Sequence, residues 1–325
     1  MSAWQLCSSL AVPMKMFVAL RRVSGTDYHS QAQLLGYFDR FLVQARLNPS
    51  RLTREITDRY QKSLAGLALR GRANRLCVVK QFGEYLARTD ALSYVPEPPR
   101  APSSLGARTP YIFSLSQVQE LLNAALLLPP SGSLRPQTYA TLLGLLYSTG
   151  IRIGEACALT LENFHAAEQR LYIAAGKFRK ARWVPLSESS CRAVEQYVNR
   201  RLRLQPHALD SPLLLNECGR PLHQVTVNHT FHRLLRHTGI ARHRATGPRI
   251  HDLRHTFAVH RLLEWYRDGT DVNARLPWLA TYMGHVDIQS TQVYLHATPD
   301  LIEHVQRRFH RYYLQHVNPL GGTQS

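Results

Sequence analysis

The chain contains no Cys-x-x-Cys pair. Its five cysteines, Cys7, Cys77, Cys157, Cys191 and Cys218, are odd in number and widely spaced, which argues against a disulfide framework or a zinc ribbon and for a reducing compartment. Long apolar runs are missing too. Stretches such as Tyr139–Tyr147 fall well short of the roughly 20 residues a membrane helix requires. Residues 1–20 are interrupted by Pro13 and Lys15, with no basic segment ahead of an apolar one, so no signal peptide is expected. Acidic side chains are scarce: 22 Asp+Glu stand against 40 Lys+Arg, a net charge of +18. The basic residues are dispersed through both halves rather than gathered in a tail. Such an excess suits an extended polyanion, nucleic acid first, because each neutralised phosphate releases counterions. The plainer alternative, charge that serves solubility alone, has to be weighed against the motifs.

At 325 residues with 44% hydrophobic content, two folded domains are expected. Apolar residues at spacings of three and four mark helices over Gln31–Gln44, Thr53–Leu69 and Arg72–Arg88, with breaks at Asn48-Pro49 and Gly71. Residues 96–112 hold Pro96, Pro98, Pro99, Pro102 and Pro110, the composition of an extended connector. Ser114-Leu115-Ser116-Gln117 reads as a helix start and Pro136–Ser148 as an apolar helix ending at Gly150. Between Arg170 and Leu186 the period becomes alternating, predicting a β-hairpin whose turn lies within Gly176–Arg179. Helices resume at Ser189 and again from Thr226. The expected organisation is an extension over 1–20, a helical domain over 21–95, a linker over 96–112, a second domain over 113–318 and a tail over 319–325. The fold class is mainly α with a small antiparallel β-sheet.

Six residues of the second half have the chemistry to break and rejoin a phosphodiester: Arg152, Lys177, His251, Arg254, His285 and Tyr294. A side chain attacking phosphorus passes through a five-coordinate state whose oxygens gain charge. Arginine's planar fork can hold two of them. Arg152 follows Gly150 at a helix entry, with Glu155 one turn on to orient it; in isolation this would read as a surface Arg–Glu pair. His251 and Arg254 are three apart on one helix face and can address one phosphate. His251 and His255 also have the His-x-x-x-His spacing of a zinc pair, a reading that Asp252 and Arg254 disfavour. Lys177, or its neighbour Lys180, could give a proton to the leaving 5′ oxygen. Tyr294, nine residues past His285 on a short helix Ile288–His296, is the nucleophile among competitors Tyr282, Tyr312 and Tyr313.

These phrases together resemble the tyrosine recombinase, or phage integrase, family. Thr149-Gly150-Ile151-Arg152-Ile153-Gly154-Glu155 is similar to the family's first-arginine box. His251-Asp252-Leu253-Arg254-His255-Thr256-Phe257-Ala258 is similar to its second, and Met283-Gly284-His285 followed by Tyr294 to its third. The likeness spans most of 113–310. It implies a two-domain DNA clamp, in which a helical core-binding, SAM-like domain precedes the catalytic domain. It also implies Arg152 and Arg254 on the scissile phosphate, Lys177 as leaving-group acid, His251 and His285 on phosphate and proton transfer, and Tyr294 forming a 3′-phosphotyrosyl bond. No cofactor or metal is implied. Phe178 stands where the family often has glycine, and Met283 and Val286 replace a commoner leucine and serine.

The expected partners are duplex recombination sites and further copies of the chain, a tetramer in the synaptic complex with Pro299–Val317 docking on a neighbour. Accessory DNA-bending proteins are a further class; no membrane is expected. The setting would be the bacterial cytoplasm, at the nucleoid, serving a mobile element, phage or chromosome maintenance. The rival functions are a type IB topoisomerase and a DNA-binding protein without catalysis.

Overall fold

The structure, a computed structural model, describes residues 6–25, 28–97, 110–174, 181–204, 210–241 and 247–284. The chain divides into two compact units, Met1–Ala107 and Arg108–Ser325.

The first unit is helical: α1 Ala11–Val23, α2 His29–Gln44, α3 Arg54–Ser63 and α4 Leu69–Leu86. Its core gathers Leu10, Met14 and Phe17 with Leu35, Phe38, Val79 and Phe82. The Phe17 ring lies 5.5 Å from Tyr28 and 5.7 Å from Phe82. Residues expected as an extension thus form a helix of this unit's core. The sequence obscured α1 because Pro13 sits in its first turn, where a missing N–H costs nothing. Thr53 caps α3 by accepting from the Ile56 N–H at 3.3 Å. The helix break falls at 64–68 rather than at Gly71, which lies inside α4. Burial of Leu76, Val79 and Phe82 along α4, worth about 2 kcal/mol each, outweighs the roughly 1 kcal/mol a helical glycine costs.

The second unit runs α5 Leu115–Leu126, α6 Arg135–Thr149, α7 Ile153–Cys157, strands β1 Phe164–His165, β2 Arg170–Ile173 and β3 Arg182–Pro185, then α8 Glu188–Leu204, α9 Gln224–His237, α10 Asp252–Arg267 and α11 Val272–Met283. The strands form one antiparallel sheet, order β1-β2-β3, with Leu171 opposite Val184 and Ile173 opposite Arg182. Leu171, Ile173 and Val184 turn inward, where they join α5, α6, α8 and α9 in one core. A reciprocal cap between Ser114 and Gln117 starts α5. The hairpin arms match the expected pattern, while its turn lies outside the described residues. No described helix is long and apolar enough to cross a membrane.

Gly150 ends α6 with φ +63°, the left-handed conformation that costs other residues about 1–2 kcal/mol. A Cβ there would also stand 2.4 Å from Phe257 Cδ1 on α10. Gly150→Ala is therefore expected to lower unfolding free energy by about 2–4 kcal/mol. Gly144→Ala, inside α6 with nothing within 4 Å of the new Cβ, should be neutral or stabilising by up to about 1 kcal/mol. Urea unfolding of the two variants checks this; equal effects would refute the close approach.

Candidate active site

Three guanidinium groups meet at the C-terminal end of α11. A helix leaves its last carbonyls without partners inside the helix, and here three consecutive ones are taken by three different arginines. The Tyr282 carbonyl accepts from Arg182 Nε at 2.8 Å, the Met283 carbonyl from Arg254 Nη2 at 2.8 Å and the Gly284 carbonyl from Arg152 Nη2 at 2.7 Å. Cations are favoured at this negative end of the helix dipole. Gly284 caps α11 with φ +70°, and a Cβ on it would lie 2.8 Å from Arg182 Nη1. Glycine is needed there for both reasons.

The arginines arrive from separate elements. Arg152 stands at the entry to α7, Arg182 begins β3, and Arg254 lies on the first turn of α10. Arg254 is 2% exposed and also donates to the Gly150 carbonyl. The residue preceding Arg152 by two thus holds the second arginine as well as ending α6.

Glu155 binds two of the three together. Its carboxylate accepts from the Arg152 N–H and Nη1, both at 2.9 Å, and from Arg182 Nη1 and Nη2 at 3.1 and 2.9 Å. Four N–H donors fill the capacity of one carboxylate. Its side chain is 6% exposed, against 10% for Arg182 and 28% for Arg152. Burial pushes the Glu155 acid up, but the Arg182 hydrogen bonds, the Arg152 N–H and both positive charges hold it at about 2. Three guanidiniums less one carboxylate leave two positive charges in excess here, a match for the charge that builds on phosphorane oxygens. The expected Arg152–Glu155 pair is present, though largely buried rather than superficial. Arg182 was missed: its only sequence signal is alternation inside the hairpin, which marks it as inward-facing without saying what it meets.

Arg152 and His251 line one cavity of about 500 Å³, together with Gln224, Asn163 and, from the end of β2, Ile173 and Ala174. His251 immediately precedes α10, where Asp252, fully buried, accepts from the Arg249 N–H at 2.8 Å and fixes the turn. The His251 side chain still reaches solvent. Even so, the protein packed around it, then His255 and Arg254, push its pKa down to about 4. In the free protein at neutral pH the imidazole is therefore uncharged, able to accept a proton or hydrogen bond. The His251 and His255 rings meet edge to face at 4.8 Å, and no group of three or more His, Cys, Asp or Glu suited to a metal occurs among the described residues. Lys177, His285 and Tyr294 lie outside the described residues, as do Ile288–His296 and Pro299–Val317; Ala174 and Gly284 are the last described positions before them. A larger groove, about 1500 Å³ and lined by Leu122, Tyr147, Trp265 and Trp278 among others, contains none of the candidate residues.

The Phage integrase family model matches residues 113–300. "Putative integrase/recombinase y4rB" of Sinorhizobium fredii is 36% identical over 244 residues, covering 74% of this chain and 78% of that one. Tyrosine recombinase XerD of Halalkalibacterium halodurans is 31% identical over 248 residues, 73% and 74% of the two chains. Among solved structures, XerH site-specific recombinase bound to palindromic difH substrate gives a TM-score of 0.66 at 20% identity, over 94% of this chain and 85% of that one. The Tn1549 transposon integrase with transposon right-end DNA gives 0.63 at 18%, over 92% and 99%. These two likenesses show the fold. The chain belongs to the phage integrase, or tyrosine recombinase, family. Neither the topoisomerase nor the inactive-binder alternative finds support among these relatives.

Glu155 carries a folded-state pKa of about 2 against an ordinary 4.5. A depressed carboxyl stabilises the fold above its unfolded value, here by about 3 kcal/mol, and that contribution is lost as pH falls from 4.5 toward 2. Wild type should lose this increment across that window, while Glu155→Gln should be less stable at pH 7 by about 3 kcal/mol and lack the same acid slope. Denaturation at a series of pH values measures both; parallel curves would contradict the buried pairing. His251, with its folded value near 4 below an ordinary 6.5, should titrate in NMR near pH 4 in the free protein, since protonation is disfavoured by folding.

Proposed function

We propose that the protein is a site-specific DNA recombinase acting through a 3′-phosphotyrosyl intermediate. The observation that carries this reading is the meeting of three arginines one residue before His285, beside a cavity shared by Arg152 and His251. Arg152 and Arg254 hold the non-bridging oxygens of the scissile phosphate. The phenol of Tyr294 gives up its proton and attacks phosphorus; the new P–O bond joins tyrosine to the 3′ end as the bond to the 5′ oxygen breaks. Lys177, on the hairpin whose β2 arm ends at the cavity wall, protonates that oxygen. His251, neutral before DNA arrives, and His285 contact phosphate and assist the proton transfers. The bond energy is retained in the phosphotyrosine, so attack by a 5′ hydroxyl reverses the step.

The partner is duplex DNA carrying recombination sites, in keeping with the net charge of +18 and with relatives solved on DNA. Synapsis joins four copies in a tetramer on two duplexes, the Pro299–Val317 segment docking on a neighbour, with accessory DNA-bending proteins as further partners. The setting is the bacterial cytoplasm. The domain scheme places core-binding helices ahead of a proline-rich linker, with catalysis in the residues beyond 112.

Incubation with a nicked suicide substrate should trap protein covalently on a 3′ end, and Tyr294→Phe should bind the same DNA without becoming attached. Mapping the adduct to another residue, or finding none, would defeat the assignment. Cleavage should persist in EDTA, because guanidinium groups occupy the role that metal ions play in other phosphoryl-transfer enzymes. Loss on chelation with recovery in Mg²⁺ or Zn²⁺ would count against the mechanism. Affinity should fall steeply with salt, by about 10³–10⁵ between 50 and 200 mM if six to ten phosphates are neutralised.

A further inference from the structure

Arg182 is outside the set of residues assigned to the reaction, yet its guanidinium makes three hydrogen bonds at the site. We propose that Arg182 is a positioning residue for strand cleavage: it neutralises Glu155 so that the charge of Arg152 remains available to phosphate, and it holds the end of α11 in place. The inference rests on the recombinase reading.

The first argument is electrostatic. Glu155 faces Arg152 and Arg182 at equal range, with an N–H donor from each guanidinium at 2.9 Å. Had Arg152 been its only counter-ion, the two charges would cancel and a phosphate would meet a nearly neutral pair. With a second guanidinium on the same carboxylate, the group keeps one net positive charge, and Arg152 is the more exposed of its two cations. Coulomb energies grow as water is excluded, so which charge is cancelled matters more here than at an open surface.

The second argument is geometric. All three nitrogens of the Arg182 guanidinium are engaged, Nη1 and Nη2 by Glu155 and Nε by the Tyr282 carbonyl. This side chain acts through its neighbours rather than on the substrate. It stands at the start of β3, the first strand after Lys177 in the sequence, and reaches the end of α11, just ahead of His285 in the sequence. One planar fork therefore ties the proposed leaving-group arm to the segment that leads to Tyr294. Gly284 lies so close to this fork that there is no room for a Cβ, which holds the C-terminal end of α11 against Arg182. A lysine could reach one of these acceptors with an ammonium but has no fork to span both.

The test uses the full chain, a nicked suicide substrate, single-turnover covalent trapping at saturating protein, and parallel DNA-binding and thermal-unfolding measurements. Arg182→Lys should bind DNA within about twofold of wild type yet form the adduct about 10²-fold more slowly, the scale of loss from a small misplacement. Arg182→Met should lose about 10²–10³-fold, and its remaining activity should fall less toward acid than wild type's, because Glu155 now gains a proton at higher pH and ceases to cancel Arg152. The decisive arm is Arg182→Met with Glu155→Gln. Removing the carboxylate charge as well should recover at least about tenfold of the adduct rate over Arg182→Met, since one factor of ten corresponds to a modest change in charge stabilisation. A purely architectural ion pair gives no such recovery.

Wild-type rates in any folded Arg182 variant, or absence of recovery in the double variant, overturn the proposal. So does loss of the folded state in all three variants, which would make Arg182 architectural only. A wild-type protein that forms no adduct on any candidate site is a different result: there the recombinase reading fails, and this inference fails with it.

Discussion

One buried carboxylate and the arginines around it lock together the elements that build the candidate site. Glu155 fills its hydrogen-bonding capacity with donors from α7 and β3, while the same arginines, joined by Arg254 from α10, end α11 by taking its final carbonyls. A buried charge left without partners would cost several kcal/mol, so none of these elements can shift alone. The sheet, the short helix and the two long helices are held together by polar contacts at the point where their apolar cores leave off.

That arrangement also explains why a site rich in cations is stable before DNA binds. Like charges brought together in a protein interior repel strongly. Here each guanidinium is offset by carbonyl dipoles or by Glu155, and His251 avoids adding a charge because its surroundings hold its pKa near 4. Under the proposed function, a DNA phosphate would supply the negative charge that the site itself lacks. The excess positive charge is local, and distinct from the +18 spread over the chain, which acts at longer range on the DNA as a whole.

Much of this was legible in the linear sequence, for identifiable reasons. Apolar spacing marked α2 and most of α3 and α4, the Ser114–Gln117 start marked α5, and the apolar run ending at Gly150 marked α6. Alternation over Arg170–Ile173 and Arg182–Pro185 marked the hairpin arms. Other features were misjudged where a local rule met a tertiary one. Pro13 looked like a break but falls in the first turn of a helix whose Met14 and Phe17 are buried; Gly71 looked like a stop but sits in α4, where the burial of later residues outweighs its propensity.

The residue types and spacings alone determined the helical character and the pairing of Arg152 with Glu155, because these depend on neighbours within a turn of chain, and the family, because several short contiguous phrases carry its likeness. Tertiary structure decided which arginine stands behind Glu155 and what Arg254 touches. Arg182 meets Glu155 from 27 residues away and the Tyr282 carbonyl from 100, and Arg254 meets the Gly150 carbonyl from 104. A backbone carbonyl is carried by every residue, so no side chain in the sequence marks it as an acceptor; only the folded path of the chain can bring that oxygen to a guanidinium.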